Sequence, residues 1–159
     1  MQRTNHEEVD WKEYEKRDDK LRRKELTNAL DAPDQLGCSL YELLPEGKSW
    51  PYHYHTANEE AFYVLEGEGT LRHEGGEEEV VAGDFVSFPA DEAGGHQLVN
   101  DGDEPLRYLA FSTMNEPDVT VYPEMEKLGV FVGSPPGGRD ERPLHGYYRL
   151  EDDTEYWEA

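Results

Sequence analysis

The sequence predicts an all-β domain. Residues 36–114 fall into short segments rich in Val, Leu, Phe and Tyr, residue types favoured in strands. Gly, Pro and Asp turn residues separate these segments at short intervals, and none is long enough for a helix of ordinary length. Short strands at such spacing are typical of a sandwich or a small antiparallel barrel. At 159 residues the chain has the length of one domain.

The N-terminal residues 1–35 are predicted to be a polar arm outside the barrel. Charges of both signs follow one another from Trp11 to Lys24, and apolar residues are scarce before position 25. This segment forms either a short solvated helix or an extended arm. Trp11 and Tyr14 are its most obvious apolar anchors.

The barrel core is predicted at residues 36–114. Its first strand, 36–44, ends at the turn residues 45–47, where Pro, Glu and Gly follow one another. The later strands of the core are predicted at 52–55, 61–67, 69–74, 77–83, 84–89, 95–100 and 105–114. Residues 115–159 form a C-terminal extension that packs on the barrel, with a last strand at 145–151.

The charge balance argues against several classes of partner. Thirty-seven Asp and Glu against 15 Lys and Arg give a formal net charge of -22. Such a surface repels nucleic acid and an anionic membrane, so we expect neither as a partner. Acidic residues are spread along the whole chain, and only six residues are lysine. This pattern suits a halophilic protein, because concentrated salt screens the repulsion between the acidic side chains.

The chain is expected to be cytoplasmic. No stretch approaches the roughly 18 apolar residues of a spanning helix. The first twenty residues lack the apolar centre of a secretory signal. Cys38 is the single cysteine, so neither an intramolecular disulfide nor a cysteine-based zinc site is expected.

Three histidines and a glutamate suggest a metal site. His53 and His55 are two positions apart and would face the same side of a strand. Glu60 opens the next strand, and His96 opens a later one. Three imidazoles and one carboxylate suit a first-row transition metal and leave coordination positions open.

These residues also lie in motifs that resemble those of the cupin family. The first cupin motif begins with Gly, followed after five residues by His-x-His. Three or four residues later comes Glu, and after six more residues a second Gly. Residues 47–67 fit this motif in full. The second runs from Gly83 to Asn100, but six residues separate Pro89 from His96, two more than the pattern has. The resemblance covers roughly residues 36–114. It implies a double-stranded β-helix, or jelly-roll, barrel.

The same resemblance implies His53, His55, Glu60 and His96 as ligands of one divalent transition metal per chain: Fe, Mn, Zn, Ni or Co. Glu59 competes with Glu60, because a three-residue spacing after the second histidine selects Glu59. The motif's final glycine would then fall on Glu66, whereas Glu60 places it on Gly67. Glu60 is therefore preferred.

Four residues are candidates for contacts to a substrate. Phe62 and Val64 share a strand face with Glu60 and would line the cavity below the metal. Gln97 and Tyr108 are candidates for a hydrogen bond to the substrate. Lys48, Arg72 and Arg107 are the cations near the barrel that a phosphate group would need.

The fold alone does not fix the reaction. Resemblance to the phosphomannose-isomerase-like cupins favours a metal-dependent sugar-phosphate isomerase. The same ligand set permits an iron-dependent dioxygenase, and a third alternative is a non-catalytic cupin that binds a small ligand. Because small cupins usually pair through their barrels, we expect a homodimer.

Overall fold

The structure is a computed structural model that describes residues 1–16, 19–30 and 35–157. Parts of the predicted arm (17, 18 and 31–34) and the last two residues of the predicted extension lie outside the described residues. The described chain contains strands and four one-turn 3-10 helices of three residues each, which confirms the all-β prediction. Among these residues no helix is long and apolar enough to cross a membrane.

The described residues form thirteen strands. In chain order they are β1 Lys12–Lys16, β2 Asp19–Glu25, β3 Leu36–Leu43, β4 Tyr54–His55, β5 Glu60–Glu66, β6 Glu68–His73, β7 Gly76–Val81, β8 Phe85–Phe88, β9 His96–Val99, β10 Leu106–Thr113, β11 Asp118–Tyr122, β12 Lys127–Val132 and β13 Leu144–Arg149. The one-turn helices are His6–Glu8, Glu92–Gly94, Pro123–Met125 and Leu150–Asp152.

The strands form two walls around an apolar core. One wall is a six-stranded sheet in the order β1-β2-β3-β10-β5-β8. The other combines β7-β6-β9 with β13-β12-β11-β4. Two isolated bridges, Lys48 with Val99 and His53 with His96, join β9 to the segment that leads into β4. The core residues between the walls are Leu21, Tyr41, Leu43, Phe62, Val64, Leu71, Val80, Phe88, Leu98, Leu106 and Tyr108.

Both ends of the chain add strands to the walls. Residues 12–16 and 19–25, for which the sequence left a helix or an extended arm open, form the antiparallel strands of the N-terminal hairpin β1–β2, and β2 pairs with β3. Leu21 of this hairpin is buried in the core. In the C-terminal extension, β11 pairs with β4 and β13 pairs with β12, so the last predicted strand is confirmed.

Gly67 lies at a turn that needs glycine. Its φ of 83° is in the left-handed region, and a Cβ at this position would lie 2.7 Å from the carbonyl oxygen of Pro105. The turn joins β5 to β6, and β5 begins with Glu60. The glycine that ends the first motif therefore lets the chain turn back directly after the strand that carries Glu60.

Candidate metal centre

Four strand ends bring the predicted ligands together. His53 lies immediately before β4 and pairs with His96 across an isolated bridge, while His55 lies within β4. Glu60 is the first residue of β5 and His96 the first residue of β9. All three imidazoles are buried, and Glu60 is partly buried.

Three of the four predicted ligands, His53, Glu60 and His96, have donor atoms close enough to share one ion, and His55 lies beside them. Glu60 Oε2 lies 3.3 Å from His96 Nε2 and 3.6 Å from His55 Nε2. His53, Glu60 and His96 each offer a ligand atom within 4.8 Å of the other two. Two atoms bonded to one ion at about 2.1 Å lie at most about 4.2 Å apart, so only a small shift of the side chains is needed. The residues present therefore fit a transition metal.

Each imidazole is oriented by a hydrogen bond at its Nδ1. His53 Nδ1 donates to the Pro51 carbonyl at 2.8 Å, and His96 Nδ1 donates to the Gly94 carbonyl at 2.8 Å. His55 Nδ1 lies 2.6 Å from Asp118 Oδ2. Because a carbonyl or a carboxylate accepts the proton at Nδ1, Nε2 keeps its lone pair for a metal.

The surroundings shift the pKa values of the three histidines in different directions. Burial, followed by the nearby His96 and His55, lowers the pKa of His53 to about 3. Burial is also the main cause that lowers the pKa of His96, to about 4. For His55 burial acts in the same direction, but Glu60 and the hydrogen bond to Asp118 outweigh it and raise the pKa. His53 and His96 are therefore neutral near pH 7, the state that binds metals.

Aromatic rings fix the positions of two of the imidazoles. The Phe88 ring stacks on His96 with 3.9 Å between ring centroids, and Phe62 meets His96 edge-on at 5.2 Å. On the other side of the centre, Tyr122 stacks on His53 at 5.8 Å. These contacts restrict rotation of the imidazoles.

The segment that departs from the second motif contributes to this centre. Residues 90–95 contain the one-turn helix Glu92–Gly94, which Asp91 caps through its side chain. The Asp91 backbone N–H donates to the His55 carbonyl at 2.8 Å. The turn also supplies the Gly94 carbonyl that accepts from His96, so the two additional residues form a turn that orients a candidate ligand.

The centre opens into a cavity of about 570 Å³, a volume within the range of small-molecule sites. Its lining includes His53, His55, Glu60 and His96. The remainder comes from the six-stranded sheet, from residues 49–51 before β4, from β11, β12 and β13, and from the loops around Met114 and Gly137. The cavity therefore joins the predicted barrel core to both ends of the chain.

Comparison with known proteins identifies the family. A Cupin domain model matches residues 39–112. A protein provisionally assigned as a sugar phosphate isomerase from Acidithiobacillus ferrooxidans is 31% identical and has a TM-score of 0.73, with the match covering 87% of this chain and 82% of that one. The chain belongs to the cupin superfamily. No curated protein sequence matches it.

Two further solved structures resemble this cupin. A sugar phosphate isomerase of the cupin superfamily from Silicibacter pomeroyi is 26% identical, with a TM-score of 0.78 and coverage of 95% of this chain and 94% of that one. The polyketide cyclase RemF from Streptomyces resistomycificus is 27% identical, with a TM-score of 0.61 and coverage of 71% and 79%.

Of the four residues of this cupin that were predicted to contact a substrate, two line the cavity and two do not. Phe62 and Tyr108 line the cavity. Val64 is buried in the apolar core and is not among the lining residues. Gln97 also lies outside the lining. Its amide donates to the Trp50 carbonyl at 3.2 Å and accepts from Arg72 at 2.5 Å.

The cations of the cavity differ from those singled out in the sequence. Lys48, Arg72 and Arg107 do not line it. Arg72 is paired with Glu124 at 2.5 Å, and Arg107 with Glu42 at 2.6 Å. Among the described residues, the lining cations are Lys16, Arg23 and Lys127. They come from the N-terminal hairpin and from β12, outside the predicted core of residues 36–114.

Sequence reasoning also missed the contribution of β11. Asp118 and Thr120 are buried, and both lie within hydrogen-bond distance of His55 Nδ1. Tyr122, two positions further, lines the cavity, and burial is the main cause that raises its pKa. The polar-apolar alternation of residues 118–122 is a strand signal that places these three side chains on one face.

Proposed function

We propose that this cupin is a metal-dependent isomerase of a small phosphorylated sugar. The observation that carries the proposal is the group His53, Glu60 and His96 at the wall of a cavity of substrate size. The names of the relatives from A. ferrooxidans and S. pomeroyi support the substrate class.

The residues have distinct roles in this proposal. His53, Glu60 and His96 would hold a divalent ion with His55 beside them, and the ion would polarise a substrate carbonyl as a Lewis acid. Phe62 and Tyr108 form the wall against which the carbon chain of the sugar packs. Tyr122 brings a phenol hydroxyl to the same cavity, where it shares a hydrogen bond with Tyr147.

The first experiment is elemental analysis of untagged protein, with His53→Ala and His73→Ala compared. His73 is a matched control because it lies outside the cavity, near Glu78 at 3.7 Å. We expect one metal per chain in the wild type and in His73→Ala, and a loss in His53→Ala. Absence of metal from the wild type would overturn the proposal.

The second experiment tests the reaction itself. The metal-loaded protein is incubated with aldose and ketose phosphates in D2O, and proton exchange at the carbon beside the carbonyl is followed by NMR. Isomerisation exchanges this proton with solvent, since a base removes it during the reaction. We expect exchange with the wild type and His73→Ala and none with His53→Ala.

An iron-dependent dioxygenase is the second candidate. Two histidines and one carboxylate form the ligand set of many non-haem iron oxygenases, and His53, Glu60 and His96 match it. Iron in the purified protein, with O2 uptake on a substrate and no proton exchange, would favour this candidate. Bound metal with neither activity would favour the non-catalytic, ligand-binding alternative.

We further propose that the chain forms a homodimer through the outer face of the six-stranded sheet. Leu109, Tyr63 and Phe85 are cross-strand neighbours in that order on β10, β5 and β8, and the buried Leu40 of β3 continues the row. Phe85 is 65% exposed, and Tyr63 and Leu65 are each 40% exposed. A second copy is the favoured occupant, because an apolar row without net charge is complementary to itself under two-fold symmetry.

The acidic composition is the basis of a separate proposal about habitat. We propose that this is a halophilic, cytoplasmic protein whose fold depends on screening by salt. Its support is the charge of -22 and the distribution of acidic residues through the whole chain.

A further inference from the structure

The charged side chains that line the cavity are mainly basic, whereas the chain as a whole is strongly acidic. Three cations, Lys16, Arg23 and Lys127, line it, and Glu60 is the single carboxylate among the described lining residues. Over the whole chain acidic residues outnumber basic ones by 37 to 15. A cavity of this kind attracts an anion, although the protein as a whole repels one.

Lys127 differs from the other cations near the barrel. Arg72 is paired with Glu124 and Arg107 with Glu42. Within the part of the chain that the structure describes, Lys127 forms no ion pair with a carboxylate. Glu124, three positions away in the sequence, is held by Arg72 instead.

Two tyrosines hold the Lys127 ammonium at the cavity. Its Nζ lies 5.0 Å from the centroid of the Tyr122 ring and 5.4 Å from that of Tyr147, and all three residues line the cavity. Such contacts position an ammonium while leaving its N–H donors available. Tyr122 in turn stacks on His53, so one aromatic ring separates the ammonium from a candidate metal ligand.

Arg23 lines the same cavity from β2. Its guanidinium is buried and fixed by Ser39 Oγ at 3.0 Å and by the Gly137 carbonyl at 3.4 Å. Glu25 lies 3.3 Å from Arg23 Nη1 and offsets part of its charge. Lys127 therefore carries the larger uncompensated charge of the two.

We infer that Lys127, with Arg23 as a fixed second cation, forms an anion subsite that binds the phosphate group of a phosphorylated substrate. The inference rests on the proposed function for the identity of that substrate. A phosphate bound here leaves the other end of a small sugar free to reach the metal centre. The subsite would set specificity for phosphorylated over neutral sugars.

The test is calorimetric titration of the full chain with inorganic phosphate at constant ionic strength. Lys127→Gln is compared with Lys127→Arg and with Lys20→Gln, a β2 lysine outside the cavity lining whose Nζ lies 4.0 Å from Glu46. We expect Lys127→Gln to weaken phosphate binding by about tenfold or more, as for loss of a charge-assisted hydrogen bond. Lys127→Arg and Lys20→Gln should stay close to the wild type.

Metal content and the His53→Ala variant separate this inference from the proposed function. We expect Lys127→Gln to keep the metal content of the wild type, and His53→Ala to retain phosphate binding. Wild type that binds no phosphate, or Lys127→Gln that binds it as tightly as wild type, would overturn the subsite. The subsite would also be overturned if His53→Ala lost phosphate binding and Lys127→Gln kept it, because phosphate would then be bound by the metal. Metal-free wild type that still binds phosphate would refute the proposed function alone.

Discussion

His55 Nδ1 lies 2.6 Å from Asp118 Oδ2, and both side chains are buried. This hydrogen bond joins the predicted barrel core to the C-terminal extension, because Asp118 begins β11. Asp118 Oδ1 also accepts from the Ala57 backbone N–H at 3.1 Å. One carboxylate thus fixes both the imidazole of His55 and the loop between His55 and Glu60.

We expect Asp118→Asn to weaken metal binding by about 10–100-fold, the usual effect of losing the carboxylate behind a metal-binding histidine. The amide keeps the shape of the side chain but removes its negative charge. Affinity is measured by competition with a chelator of known affinity, with Asp103→Asn at an exposed position as the control. Equal affinity in Asp118→Asn and wild type would contradict this role.

A second prediction decides between the two neighbouring glutamates. Glu60 is among the residues whose ligand atoms cluster, whereas Glu59 is exposed and belongs to no such cluster among the described residues. We expect Glu60→Gln to lose most of its metal in elemental analysis and Glu59→Gln to retain about one ion per chain. Both variants remove one charge, so a general electrostatic effect would lower the metal content of both alike.

The candidate ligands could be located from the sequence because each follows from local spacing. His53 and His55 are separated by one residue on a strand, and Gly67, which needs its left-handed φ, fixes the register that selects Glu60. The strand segments of the core were predictable for the same reason, since alternation and turn residues are local signals.

The hairpin β1–β2 and the cavity cations could not be predicted in this way. The residues of β1 and β2 are almost all charged, and they form strands because β2 hydrogen-bonds along β3. Lys127 lies on β12, seventy-two positions after His55. It reaches the cavity because β12 pairs with β11, which in turn pairs with β4. Such long-range pairing leaves no signal in the spacing of nearby residues.

The ion pair between Lys12 and Glu25 predicts a pH dependence of stability. Burial by itself raises the pKa of Glu25, but the hydrogen bond from Lys12 at 2.5 Å and the charge of Arg23 lower it below its ordinary value of 4.5. A carboxyl with a lowered folded-state pKa stabilises the fold above the unfolded-state pKa. This contribution is lost as the pH falls through the folded-state value.

We therefore expect Glu25→Gln to lower the free energy of unfolding by about 0.5–1 kcal/mol at pH 7, a small effect because the Lys12 side chain is half exposed. The difference from wild type should disappear in urea unfolding below the folded-state pKa. Glu13→Gln, at an exposed position of the same hairpin, is the control. A difference that persists unchanged in acid would contradict the assignment.

The outer face of the six-stranded sheet predicts the oligomeric state. We expect light scattering of the wild type to give about twice the chain mass of 18.3 kDa, and Phe85→Glu to give the monomer mass. A charge inside an apolar interface costs several kcal/mol when it is buried without a partner. Val81→Glu, at a 41% exposed position of β7 outside this sheet, should remain dimeric. A monomeric wild type would overturn the proposed interface.

The net charge of -22 predicts that stability depends on salt. At about 0.01 M salt the Debye length is roughly 30 Å, so acidic side chains across the whole domain repel one another, whereas at about 1 M it shrinks to roughly 3 Å. We expect the thermal midpoint to rise steeply between these conditions. Because sodium chloride screens charge without strongly promoting burial of apolar groups, its effect should exceed that of sucrose, which stabilises compact states without screening. Equal midpoints at low and molar salt would show that repulsion is not what limits the stability of this fold.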